Sequence, residues 1–145
     1  PDTEEPEEDK SELVPEADFN RLVGRFVKVL GDRVLEVRES KVLRDSPCRL
    51  VAAEGDRLHE MSRVYRMLDR DYEAPKRILE INRRHAIIAN LARLVTETPA
   101  DDVIDTAIDQ LLENQLLIEG LLPNATDMIP RIQKLMEAAT ARGAD

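Results

Sequence analysis

The stretch from Asp101 to Ala139 reads DDVIDTAIDQLLENQLLIEGLLPNATDMIPRIQKLMEAA, and its two apolar patterns decide the architecture. In the first part Val103, Ile104, Ala107, Ile108, Leu111, Leu112 and Ile118 recur at helical spacing. At ~100° per residue they cover about half the circumference of a helix, and Leu116 and Leu117 widen the arc. In the second part Met128, Ile129, Ile132, Leu135, Met136 and Ala139 cover only roughly a third of a turn. Gly120 can take the left-handed conformation that ends the first arm, and Leu121-Leu122-Pro123-Asn124 forms the turn. The result is a helical hairpin with unequal faces. A narrow arc cannot cover a wide one, and each Leu or Ile left in water forgoes ~1.5–3 kcal/mol. The surplus must be covered by the rest of the domain or by a second copy. The second copy is the preferred reading, because two hairpins related by a two-fold make a four-helix bundle. Ile108→Asp or Leu112→Asp should then split the pair.

Punctuation agrees with the hairpin. Thr98-Pro99-Ala100-Asp101 offers an N-cap hydroxyl, a proline at the first helical position and a carboxylate at the third. Asn124 or Thr126 caps the second arm. Thr126 is favoured, since it puts Pro130 in the first turn, where a missing N–H costs little. Gly143 marks a frayed end.

Upstream, Phe19, Leu22, Val23, Phe26, Val27 and Leu30 form one helical stripe, with Asp18 as N-cap and Gly31 just past the end. Over Arg33–Glu39 the period changes: Leu35 and Val37 alternate with Glu36 and Arg38, a half-buried strand. Ser46-Pro47 is a turn, and Cys48–Ala53 is a second short strand. The short connection suggests that these two strands pair antiparallel. Leu58, Met61, Val64, Tyr65 and Leu68 lie on one side of a further helix, with Arg57, Arg63, Arg66 and Arg70 elsewhere around it. That stripe is either core or a Met-containing face open to a partner. Arg77–Ile81 is a third strand, apolar on both sides and so central or covered. Asn82 can cap a helix whose buried side is Ile87, Ile88, Leu91, Leu94 and Val95. The expected fold is α+β: a small three-stranded sheet packed with helices, then the C-terminal hairpin.

The chain has 145 residues, 35% charged and 3% aromatic, with no Trp and a net charge of −9. The acidic excess sits in Pro1–Glu16, which holds eight acids and one base. Residues 1–16 read as an acidic linker that cannot bury enough apolar surface to order itself, and 17–145 as one domain. A near-neutral body with few aromatics argues against nucleic acid, which needs a basic face. No apolar run approaches the ~18–20 residues of a membrane span. Cys48 is the single cysteine, so no internal disulfide forms and a reducing cytosol is expected. The first residue is Pro, and the chain is taken as a piece of something longer.

No catalytic constellation emerges. His59 has no second His one turn away to make a zinc pair. His85 stands at a helix start, where a structural hydrogen bond explains it. Cys48 lacks a nearby base and reads as a small buried hydrophobe. A small enzyme or metal domain using His59, His85 and Cys48 draws no support from their spacing.

Specific strings carry a resemblance. Glu54-Gly55-Asp56 with Met61, Lys76-Arg77-Ile78-Leu79-Glu80-Ile81-Asn82-Arg83-Arg84-His85, and Leu111-Leu112-Glu113-Asn114-Gln115-Leu116-Leu117-Ile118-Glu119-Gly120 resemble the C-terminal domain of the ninety-kilodalton heat-shock chaperones, bacterial HtpG type. Val34–Arg38, Asp45–Cys48, Pro123-Asn124 and Arg131 with Leu135-Met136 fit the same pattern. Two positions depart from it. Arg83 replaces the family's usual Pro, and the chain ends without the acidic Met-Glu-Glu-Val-Asp tail of cytosolic eukaryotic members.

The resemblance implies a homodimerisation domain of an ATP-dependent chaperone that also contacts unfolded clients. The expected dimer interface is Ile104, Ala107, Ile108, Leu111, Leu112, Gln115, Leu116, Ile129, Ile132, Leu135 and Met136. The expected client-binding positions are Leu58, Met61, Val64, Tyr65 and Leu68. ATP and magnesium would belong to other domains of the full-length protein, so this chain should not hydrolyse ATP and carries no catalytic, cofactor or metal residues. A bacterial cytoplasmic location follows. The alternative is a regulatory dimerisation domain of an unrelated cytosolic protein.

Overall fold

A computed structural model describes residues 13–42, 44–53 and 77–143 of the chain. In chain order these form α1 (Glu16–Leu30), β1 (Glu36–Glu39), β2 (Cys48–Val51), β3 (Ile78–Ile81), α2 (Ala86–Glu97), α3 (Val103–Ile118) and α4 (Ile129–Thr140). The expected α+β fold is present, with a three-stranded mixed sheet and a C-terminal helical hairpin made by α3 and α4. The helix expected around Leu58–Leu68 lies outside the described residues.

The α1 stripe is core: Phe19, Leu22, Phe26 and Leu30 are buried. The helix starts earlier than expected, at Glu16 after Pro15, because proline presets the entry dihedral. Asp18 therefore lies inside the first turn. Its carboxylate accepts from Arg21 at 2.9 Å and from the Thr96 hydroxyl at 3.1 Å, tying α1 to α2. Gly31, at φ +56°, ends the helix as expected.

The sheet order is β1-β3-β2. The expected antiparallel pairing of β1 with β2 is corrected: β3 lies between them, parallel to β1 and antiparallel to β2. The physical reason lies in β3, where all four residues are buried. A strand covered on both faces gains most at the centre. Leu79 and Ile81 enter the core with Cys48 and Val37. On the other face Glu80 is 7% exposed and meets its register partners Arg38 and Arg49. Each arginine Nε donates to a different carboxylate oxygen, both at 2.9 Å. One buried acid thus clips all three strands. Charge-assisted hydrogen bonds are worth about 1.5–3 kcal/mol each, but both arginines are partly exposed and can turn to water when the acid is lost. Glu80→Ala is expected to lower stability by about 2–3 kcal/mol, read as a lower urea midpoint; an unchanged midpoint would show that the clip is idle. The other strand correction is Leu35, which precedes β1 and is exposed, while Val34 is buried.

Asn82 does not cap α2. It is 2% exposed and fastens the approach to β2: its Nδ2 donates to the carbonyls of Arg44 and Ser46, and its Oδ1 accepts from the Arg84 N–H. His85 is the cap, its Nδ1 accepting from the Ile87 N–H at 3.0 Å. Arg83 stacks over Phe19, 5.6 Å from the ring centroid, and its Nε donates to the Val14 carbonyl. Neither contact is open to a proline.

Candidate interaction surface

α3 begins at Val103, four residues later than Thr98-Pro99 suggests. The Thr98 hydroxyl donates back to the Leu94 carbonyl and closes α2, whereas the Asp101 carboxylate accepts from the Val103 N–H. At the far end Gly120 has φ +71°, its N–H donates to Leu117 O, and the Leu121 N–H donates to Leu116 O. These two bonds complete a glycine-terminated helix end. A 3₁₀ turn at Ala125–Met128 then leads into α4, with Pro130 in the first turn as expected. Neither Asn124 nor Thr126 caps α4 directly. They bond each other at 2.8 Å within the turn.

The interior side of α3 is already occupied. Ile104, Ile108 and Leu112 are at most 1% exposed and Leu111 is 5% exposed, all within the core of the single chain. These four, expected at the interface with a second copy, fill the interior of the single chain. The wheel measured the width of the apolar arc but left α1 out as a cover. α1 lies along this helix, with Arg25 paired to Asp105 at 2.6 Å and Arg33 to Asp109. Leu116 also packs on that core, and Gln115 is half-buried.

On another face of α3 Val103 and Ala107 are half-buried and Gln110 is buried, and exposure begins at Asn114. Val103, Ala107, Gln110, Asn114 and Leu117 recur three or four positions apart, so they share one face, with Ile118 beside them. Leu117 and Ile118 are 47% and 75% exposed. α4 packs mainly on α3 and on the preceding turn, and none of its residues is fully buried. Ile129 and Met136 are 47% and 59% exposed, while Ile132 and Leu135 are half-buried. Arg131 pairs with Glu113 at 2.7 Å and Lys134 with Asp102 at 3.0 Å, which pins α4 to α3 along one edge. Between α2, α3 and α4 runs a cleft of about 920 Å³, whose walls include Leu94, Val103, Ala107, Leu111, Leu135 and Ala139. Gln110 also lines it. Its Nε2 donates to Asn114 Oδ1 at 2.8 Å and lies 3.3 Å from Met128 Sδ, while its Oε1 has no hydrogen-bond partner. Sequence reasoning passed over Gln110; the signal was a long polar residue inside an apolar arc.

Cys48 is 1% exposed, and burial pushes its thiol up to about 12. Such a group stays neutral and is a poor nucleophile. Among the described residues, no three His, Cys, Asp or Glu side chains gather as a metal cluster. Gly31, Gly120 and Gly143 take positive φ beside helix ends, not in a phosphate-binding loop. No described helix is long and apolar enough to cross a membrane. His59 and the positions Leu58, Met61, Val64, Tyr65 and Leu68 lie outside the described residues.

Comparison with known proteins agrees with the strings around Ile78–His85 and Leu111–Gly120. The chaperone protein HtpG of Chlorobaculum tepidum is 38% identical over 122 residues, covering 82% of this chain and 19% of the relative. HtpG of Oleidesulfovibrio alaskensis is 36% identical over 122 residues, 84% of this chain and 19% of the relative. HtpG of Chlorobium phaeobacteroides is 36% identical over 134 residues, 92% of this chain and 21% of the relative. The chain thus spans about a fifth of the length of the curated relatives it matches. The family model described as Hsp90 protein matches residues 2–145, and with that extent of agreement the chain belongs to the Hsp90 family.

Proposed function

We propose that this chain is the C-terminal dimerisation domain of an Hsp90-family chaperone, pairing with a second copy through the open side of its α3–α4 hairpin. The observation that carries the reading is where apolar surface remains. Among the described residues, four of the seven large exposed hydrophobics, Leu117, Ile118, Ile129 and Met136, fall within this one hairpin. Scattered single apolar residues need no explanation, but a concentration on two adjoining helices marks an interaction site. A second hairpin would cover them and complete a four-helix bundle. The interface proposed is the expected set less its fully buried members, Ala107, Gln115, Leu116, Ile129, Ile132, Leu135 and Met136, extended by Leu117 and Ile118.

Contact with unfolded client proteins through Leu58, Met61, Val64, Tyr65 and Leu68 rests on the family resemblance. So does the assignment of ATP and magnesium to other parts of a full-length protein, and of the whole to the bacterial cytoplasm.

Sedimentation equilibrium tests the pairing. The chain is expected to populate a dimer with a Kd at or below about 1 μM, a standard free energy near −8 kcal/mol. A single monomeric species at concentrations a hundredfold higher would overturn the proposal.

A further inference from the structure

We infer that α4 is a conditional arm: in the single chain it docks reversibly on α3, and pairing with a second copy is what holds it in place. The inference rests on the pairing proposed above and goes beyond it by naming an element whose order that pairing controls. Burial carries it first. α1, α2 and α3 each seat three or more buried residues, whereas α4 seats none. Its contacts run mainly to α3 and to the preceding 3₁₀ turn, and a cleft of about 920 Å³ separates it from α2. The ion pairs along its edge add little to this. Lys134 and Asp102 are 54% and 77% exposed, and pairs so open to water contribute little. The Arg131–Glu113 pair is more sheltered, but it is one tie, at the first turn.

Nor does the helix hold itself. It has 12 residues, at the edge of the ~12–15 below which an isolated helix is marginal in water. Met128 at its N-cap makes no side-chain hydrogen bond, no acid stands in its first turn and no base in its last. Neither capping nor the helix dipole therefore supports it. The pivot lies just before it. Met128 is 6% exposed, with its Sδ 3.3 Å from the Gln110 Nε2, and it closes the 3₁₀ turn Ala125–Met128. A short 3₁₀ stretch beside a helix is a common place for a hinge. The hydrophobic core includes no residue of α4, so the arm can leave as a unit without opening that core. Ile129, Ile132, Leu135 and Met136 reach the proposed interface only while α4 is docked, so docking and pairing favour each other.

Hydrogen exchange followed by mass spectrometry reads this on the whole chain. At concentrations where sedimentation shows the dimer, the amides of 132–140 are expected to be protected. On dilution to the monomer they should exchange within about tenfold of an unstructured peptide, while those of 104–112 stay protected. Leu117→Asp with Ile118→Asp supplies the same monomer without touching α4, since both side chains are exposed and lie on α3. If that variant loses protection at 104–112, dilution of the wild type decides alone. Equal protection of 132–140 in monomer and dimer would overturn the arm while leaving the pairing intact, and so would fast exchange in both. A wild type that sediments as a monomer at every concentration would remove the pairing and, with it, the arm's dependence on a second copy.

Discussion

Ile108→Asp is expected to unfold the domain, not to release intact monomers. Ile108 is fully enclosed in the single chain, within the same core as Leu22, Phe26 and Leu112. Truncating a buried isoleucine costs about 2–5 kcal/mol in transfer and cavity terms. A carboxylate in the same space must either stay charged without a partner or take up a proton, and both add to the penalty. The stability of a domain this size is about 5–15 kcal/mol in total. Far-UV circular dichroism should therefore lose its helical signal near room temperature, or the melting temperature should fall sharply. Leu112→Asp should behave in the same way. A folded variant that melts like the wild type but sediments as a monomer would return Ile108 to the interface and contradict the burial seen here.

The complementary pair is Ile118→Asp with Met136→Asp. Both side chains are more than half exposed, so neither change removes core. Exposed substitutions usually alter stability by less than about 0.5 kcal/mol. At a hairpin interface each loss would reach hot-spot size, about 2 kcal/mol or more. Together the two should raise the dimer Kd by at least about a hundredfold, since each 1.4 kcal/mol is a factor of ten. The melting curve of the monomer should stay put. A double variant that dimerises like the wild type would place the interface elsewhere.

These two experiments divide what was legible in the sequence from what was not. Local periodicity identified α1, the three strand segments and both arms of the hairpin, because amphipathic spacing is written within a dozen residues. Strand order was not local. The Arg77–Ile81 segment did announce a central position through its apolar residues on both faces. The missed clue was Glu80, since an acid inside a buried strand needs basic partners on the flanking strands, and Arg38 and Arg49 supply them. The side of α3 that its own chain covers was not local either. A helical wheel gives the width of an apolar arc, but not which sector faces its own chain. Asp105 and Asp109 bounded the sector that α1 covers, through arginines far away in sequence. Helix starts were displaced because Asp18, Asn82 and Thr98, all plausible caps, are committed to other partners.

The place of β3 between β1 and β2 has a further consequence for a chain leaving the ribosome. Glu36 pairs with Ile78 and Cys48 with Ile81, partners about thirty to forty positions apart. The two earlier strands share no ladder with each other, so neither can dock until the third has been translated. Until Ile81 emerges, the nascent segment exposes apolar β-forming sequence with nothing to zip against, a state open to misassociation. This sheet is thus a fold that must wait for its centrepiece.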